Sequence, residues 1–215
     1  MKTAVDEAVK RFGRIDVVVN AAGYSLIGNF EELATPDIER QVATNLYGVM
    51  YVMRAALPVM RKQRSGHIIN FSSSAGVMGF KHCGAYAVSK FGVEGLSPSV
   101  ALEVEQFGIK VTIVEPGFFR TDLLDPRNVK WNANRIEDYA AEGNVQEIWS
   151  GYNGTQLGDP AKLGEALVKI AGMGNPPKVF VAGSDAVSMI PPAIEARLRE
   201  VHAFEALSTS TDGAF

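Results

Sequence analysis

Four short runs rich in Val and Ile punctuate the chain: IDVVVN (15–20), HIINF (67–71), IKVTIVEP (109–116) and KVFVA (178–182). Stretches with helical periodicity separate them. The first run is continuous and apolar, too short for a helix, and reads as a strand buried on both faces. Strands alternating with helices of ten or more residues impose βαβ units, whose crossovers are right-handed and whose strands lie parallel. All carboxyl ends of the strands then share one edge of the sheet, where open α/β folds bind ligands. Three segments reach that edge with small or polar residues: NAAG (20–23), SSSAG (72–76) and PGFFRT (116–121).

The intervening segments carry helix signals. Val5, Ala8, Val9 and Phe12 repeat at helical spacing, and Gly13 supplies a left-handed stop. Thr35 to Arg64 reads as one long helix, with Pro36 in its first turn, acids early, bases late, and Pro58 bending it near the end. Another helix is expected over about 85–107 with Pro98 in its interior, and Asp159 and Pro160 open a further one. The irregular, aromatic-containing stretch 118–158 is expected to form a mobile lid over the substrate. The small, polar tail 206–215 is expected to be disordered. No repeat or linker divides the 215 residues, which suit one domain (1–215) with a sizeable core.

Composition narrows the function classes. A formal charge of −3 with no basic stripe argues against nucleic-acid partners. Cys83 is the only cysteine, so an internal disulfide and a thiolate metal cage are excluded, and a reducing compartment fits. The first residues are amphipathic without the apolar core of a signal peptide, and no run approaches the ~18 apolar residues of a membrane span. The expectation is a cytoplasmic protein with a small-molecule partner, no membrane association and no metal. His67, His82 and His202 fall in unrelated contexts and read as structural.

Within GAYAVSKFG (84–92), Tyr86 and Lys90 stand four residues apart and share a helix face. A free phenol titrates near 10, and a nearby ammonium favours its anion, so the pair can serve as an acid/base device. Taken alone, it equally fits a solvated lysine beside a packed tyrosine. Thirteen positions before Tyr86, Ser73 lies just past HIINF, at the ligand-binding edge. A serine at a strand end can also be turn chemistry.

NAAG, TNLYG, IINFSSSAG, YAVSK and VEPGFFRT occur in one order and at one set of spacings over nearly the whole chain. In this the sequence resembles the short-chain dehydrogenase/reductase family. The resemblance implies a Rossmann-like, doubly wound parallel sheet and an oxidoreductase that interconverts an alcohol and a ketone or aldehyde with NAD or NADP. It implies Tyr86 as general acid/base, Ser73 as hydrogen-bond partner of the substrate oxygen, and Lys90 as the residue that lowers the Tyr86 pKa and reaches the nicotinamide ribose. Asn45 would hold a water that links Lys90 to solvent. Asn20, Ala22 and Gly23 would wall the adenosine portion of the cofactor, and Pro116, Gly117, Phe119 and Thr121 would line the nicotinamide together with Tyr86 and Lys90. It also implies a homodimer or homotetramer assembled through helices at about 37–63 and 85–107.

The family pattern is incomplete here. No GxGxxG or TGxxxGxG occurs, and residue 1 aligns with the helix before the family's fourth strand. The first mononucleotide-binding half is therefore expected to be missing, and with it the residues that separate NAD from NADP. An alternative is a truncated, non-catalytic chain that associates with a full-length relative. The aromatic content of 118–158 leans toward a hydrophobic substrate.

Overall fold

The computed structural model describes residues 2–213. Helix α1 (Lys2–Phe12) leads through Gly13, in the left-handed region at φ 77°, to strand β1 (Val17–Asn20), and a two-residue strand β2 (Leu26–Ile27) follows. Helix α2 (Thr35–Val42) passes through a π-helical turn (Ala43–Tyr47) into α3 (Gly48–Gln63), and the chain returns as β3 (Gly66–Phe71). Helix α4 (Gly84–Val104), strand β4 (Ile109–Pro116) and the short β5 (Lys130–Trp131) come next. The chain finishes with α5 (Val145–Ser150), α6 (Pro160–Ala171), β6 (Val179–Ala182), α7 (Ser184–Ala203) and α8 (Glu205–Thr209).

The main sheet has the order β1-β3-β4-β6 and is parallel throughout, as the alternation of elements requires. Ile68, Val93, Ile109 and Val111 join Met53 and Met60 in a core between the sheet and helices α3 and α4. On the other face, Ile69, Val114 and Ala182 pack against Leu163 and Leu167 of α6. β3 and β4 are therefore covered on both sides, which explains their continuous apolar sequences.

β1 departs from the expected double burial. Val18 packs on the α3–α4 core, whereas Val17 and Val19 are 39% and 49% exposed. β1 pairs with β3 alone, and α1 buries no residue that would cover its second face. The polar end of the strand is nonetheless well paired: the Asn20 amide donates to Asn70 Oδ1 at 2.8 Å, and Asn70 donates to Ser97 Oγ at 2.9 Å. These bonds satisfy three buried polar side chains.

The expected long helix is interrupted by the π turn, and the stretch expected as a mobile lid contains paired structure. β5 aligns parallel to β2, with Leu26 opposite Lys130 and Ile27 opposite Trp131. Buried Glu32 accepts hydrogen bonds from Ile136 N (2.7 Å) and Asn132 Nδ2 (3.0 Å), which fastens the segment to the 30–32 turn. Ile27, Leu124, Val129 and Val145 form a small core beneath it. Of the tail expected to be disordered, residues 206–209 belong to α8, and residues 214 and 215 lie outside the described residues. Among the described residues, no helix is long and apolar enough to cross a membrane.

Candidate active site

Tyr86 and Lys90 occupy the first two turns of α4, both buried. Ala85 packs with Leu26 and Leu33, and Gly84 lies against Phe30, which seats the start of the helix on the β2 region. Ser73 begins the short 74–76 turn directly after β3, and its Oγ accepts from Ala75 N at 3.2 Å. The same hydroxyl neighbours the Tyr86 phenol and favours its anion. Lys90 Nζ lies 5.6 Å from the centroid of the Tyr86 ring and donates to the carbonyl oxygen of Phe71, the last residue of β3, at 2.9 Å.

A cavity of about 580 Å³ opens at the carboxyl edge of the sheet and is lined by Ser73, Tyr86 and Lys90 together. Gly23, Pro116, Gly117, Phe119 and Thr121 also line it, so most of the residues expected at a cofactor meet here. Asn20 and Ala22 do not line it. The Asn20 amide is engaged by Asn70, and Ala21, Gly23, Tyr24 and Ser25 are the lining residues of that loop.

Asn45 sits inside the π turn, where an extra residue per turn widens the helix, a feature frequent at functional sites. Its Nδ2 donates to Tyr24 O (3.0 Å) and Ser89 Oγ (3.2 Å), and its Oδ1 accepts from Tyr24 N (3.1 Å). The side chain thus clamps the loop after β1 to α4. A Cβ on Gly23 would come within 3.1 Å of Asn45 Oδ1, so glycine is what lets the loop and the amide lie this close.

The electrostatics differ from the simple expectation for Tyr86 and Lys90. Burial pushes the Tyr86 phenol up to about 12, against the lowering effect of neighbouring Ser73. Burial likewise brings Lys90 down to about 8, partly offset by the negative charge of Glu94 one turn further along α4. The resting tyrosine is a protonated phenol. Beside it, Cys83 is also buried and pushed up to about 12, so its thiol is protonated and inert.

Several lining groups had no clear sequence signal. Phe118 stacks on Tyr152 (centroids 5.8 Å apart, planes 19° apart), and Trp149 contacts both rings. Trp149 Nε1 donates to His82 Nδ1 at 3.2 Å, which ties α5 to the loop before α4. Asp185, at the start of α7, accepts from Phe118 N at 2.6 Å and so fixes the PGFF turn. Aromatic residues were visible in the sequence, but their convergence depends on loops without periodicity.

The arrangement fits the nicotinamide end of a dinucleotide. An ammonium has three N–H donors, and Phe71 O takes one of those on Lys90, which leaves donors for ribose hydroxyls at the cavity wall. Gly117 provides a backbone approach that a side chain would block, since a Cβ there would collide with the Asp185 carboxylate.

A family model described as short chain dehydrogenase matches residues 1–131. The chain is 41% identical over 178 residues to a 3-ketodihydrosphingosine reductase of Bacteroides thetaiotaomicron, covering 82% of this chain and 66% of that protein's length. Among solved structures, a short-chain dehydrogenase from Streptomyces avermitilis superposes with a TM-score of 0.86 at 33% identity, covering 98% of this chain and 77% of the other. ElxO with NADP bound superposes with a TM-score of 0.69 at 28% identity, over 87% of this chain and 73% of the other.

Proposed function

The chain belongs to the short-chain dehydrogenase/reductase family of NAD(P)-dependent oxidoreductases, and from that premise we propose that it interconverts an alcohol and a ketone or aldehyde in the cavity beside Ser73 and Tyr86. The observation that carries this reading is the shared wall: one serine hydroxyl, one buried phenol and one ammonium border a single cavity. NAD(P), when bound, supplies the hydride donor or acceptor.

In the proposal, the substrate oxygen accepts hydrogen bonds from Ser73 and Tyr86, which polarises the carbonyl and stabilises charge as it develops there. Tyr86, protonated at rest, gives its proton to that oxygen during reduction. The phenolate left behind is buried, and the Lys90 ammonium 5.6 Å from the ring stabilises it as it forms. Lys90 therefore supports the ionised state that the reaction creates, although it does not bring the resting phenol into the neutral range. Asn45 contributes by holding the loop that carries Gly23 against α4. Its amide is already bonded to Tyr24 and Ser89, so a water relay to Lys90 would have to run past it.

Gly23, Pro116, Gly117, Phe119 and Thr121, with Tyr86 and Lys90, would hold the nicotinamide and its ribose. Phe80, Phe118 and Trp149 give the remainder of the cavity an apolar wall, which supports a hydrophobic carbonyl or alcohol substrate. A homo-oligomer formed through α2–α3 and α4 is part of the same proposal, because Tyr47, Tyr51, Val88, Phe91 and Leu102 leave apolar area exposed there. A single buried cysteine suits the cytoplasm, where we place the protein.

The test is titration of NADH and NADPH followed by nicotinamide fluorescence, then turnover of Tyr86→Phe with an apolar ketone. Binding that survives the substitution while turnover falls at least ~100-fold supports the reading. Unchanged turnover would remove Tyr86 from the chemistry, and fluorescence that stays at its free-solution value would remove the reaction.

A further inference from the structure

His82 lies in the loop before α4, outside the cavity wall, and takes no part in the chemistry proposed above. Its backbone is unusual. Among the described residues, Arg64 and His82 are the two non-glycine positions with positive φ; Arg64 ends α3, whereas His82 holds φ 65° within a loop. Few side chains adopt that conformation readily, and glycine is its ordinary occupant. A histidine kept there in place of glycine points to a use for its side chain.

One such use is direct. Trp149 Nε1 donates to His82 Nδ1 at 3.2 Å. An indole N–H is a donor only, so Nδ1 offers a lone pair and the proton of the ring is on Nε2. The backbone of His82 is fixed from another direction, because its carbonyl oxygen accepts from Gly28 N at 2.9 Å, just beyond β2. The next residue, Cys83, packs with Ala75 and Tyr86, and Trp149 packs on that same cluster. The imidazole is therefore seated on the frame that carries the Tyr86 phenol, and from there it reaches α5.

Helix α5 needs such a hold. It has six residues, too few to be stable as a helix alone, and Val145 is the residue that it buries. Its Trp149 lines the cavity, packs on the small core of Ile27, Leu124 and Val129, and meets the rings of Phe118 and Tyr152. We propose that His82 is a positioning residue for substrate selection: through Nδ1 it holds the Trp149 indole as a fixed wall against which the carbon skeleton of an apolar ketone or alcohol packs. This rests on the reading of the cavity as the reaction site given above. A fixed ring favours a bulky apolar substrate, because binding does not have to immobilise the wall first.

The test follows the indole N–H signal of Trp149 by NMR in the 15N-labelled, cofactor-free chain, with the signal assigned by Trp149→Phe. His82→Gly accepts a φ of 65° without steric cost and removes the acceptor. His82→Asn also tolerates the left-handed region, and its Oδ1 stands where Nδ1 stood, two bonds from Cβ. Exchange of the Trp149 indole proton with water should be at least ~10-fold faster in His82→Gly and close to the unsubstituted rate in His82→Asn. Equal exchange in all three chains overturns the proposal. Menthone, a bulky apolar ketone, probes the wall itself. It should shift the Trp149 signal of the unsubstituted chain, and its affinity should fall about 10-fold in His82→Gly and recover in His82→Asn. A signal that menthone does not move, or equal affinity in all three chains, overturns the selecting role. Simple loosening of α5 would give no recovery with asparagine. No turnover enters these readings, so a chain that binds menthone in this way and reduces nothing would count against the proposed reaction and leave this inference standing. Where menthone is turned over, the loss in His82→Gly should fall on KM, and a loss confined to kcat would contradict the assignment.

Discussion

Tyr86 and Glu115 show how burial can oppose charge in this molecule. The phenol at about 12 is suited to give a proton, and the environment must then stabilise the anion that results. In the proposed reaction Ser73 and Lys90, which share the cavity wall with the phenol, would do so as charge appears. Glu115 makes the corresponding prediction for stability. Its pKa in the folded chain, about 7, lies above the ordinary carboxyl value of 4.5, so the folded state holds the proton more tightly than the unfolded one. The associated stabilisation is complete below about 4.5 and is lost as pH rises through 7. Glu115→Gln should therefore be more stable than the unsubstituted protein at pH 8, by on the order of 1–2 kcal/mol, and should lose that advantage at pH 4. Urea denaturation at the two pH values measures it, and an equal difference at both would contradict the assignment.

At the scale of elements, the turn after β4 depends on one absent side chain. In Gly117→Ala the new methyl group meets the Asp185 carboxylate, which must then release Phe118 N. Overpacking of this kind costs about 1–3 kcal/mol. The expected result is a lower denaturation midpoint together with weakened NAD(P)H binding, as the PGFF turn leaves the cavity wall. Pro116, Gly117, Phe119 and Thr121 were singled out through the family resemblance of VEPGFFRT, and all four line the cavity. Gly13 and the Asp159–Pro160 cap were legible because each solves a local backbone problem: Asp159 accepts from Ala161 N and Lys162 N. The β2–β5 pairing was not legible, because two residues cannot display a period. The π turn was hidden too, since Asn45 follows the helical pattern while the backbone beneath it gains a residue. Helix α7 escaped because Pro191 and Pro192 interrupt its interior with residues that normally end a helix. Phe118, Trp149 and Tyr152 meet only through the tertiary fold.

Among the apolar surfaces that the described residues leave exposed, two differ in kind. On α3 and α4, Tyr51, Val88 and Phe91 present side chains alone, suited to helix packing against another copy. At β1, Val17 and Val19 are exposed on a strand that pairs on one side only, so unsatisfied backbone is available to any extended segment. Light scattering should separate the two. Phe91→Glu should reduce the mass of a defined oligomer, whereas Val19→Lys should suppress slow, open-ended association and leave that mass intact. A Phe91→Glu protein of unchanged mass would count against contact through α4.

The bond from Lys90 to the Phe71 carbonyl has a mechanical consequence. The cation of the proposed chemistry is moored to the final peptide of a central strand, so a slide of α4 along the sheet would cast it off while the secondary structure stayed whole. Mild heating or dilute denaturant should then silence the enzyme at doses that leave its far-ultraviolet spectrum undisturbed, and loss of activity becomes a gauge of how firmly that helix is seated.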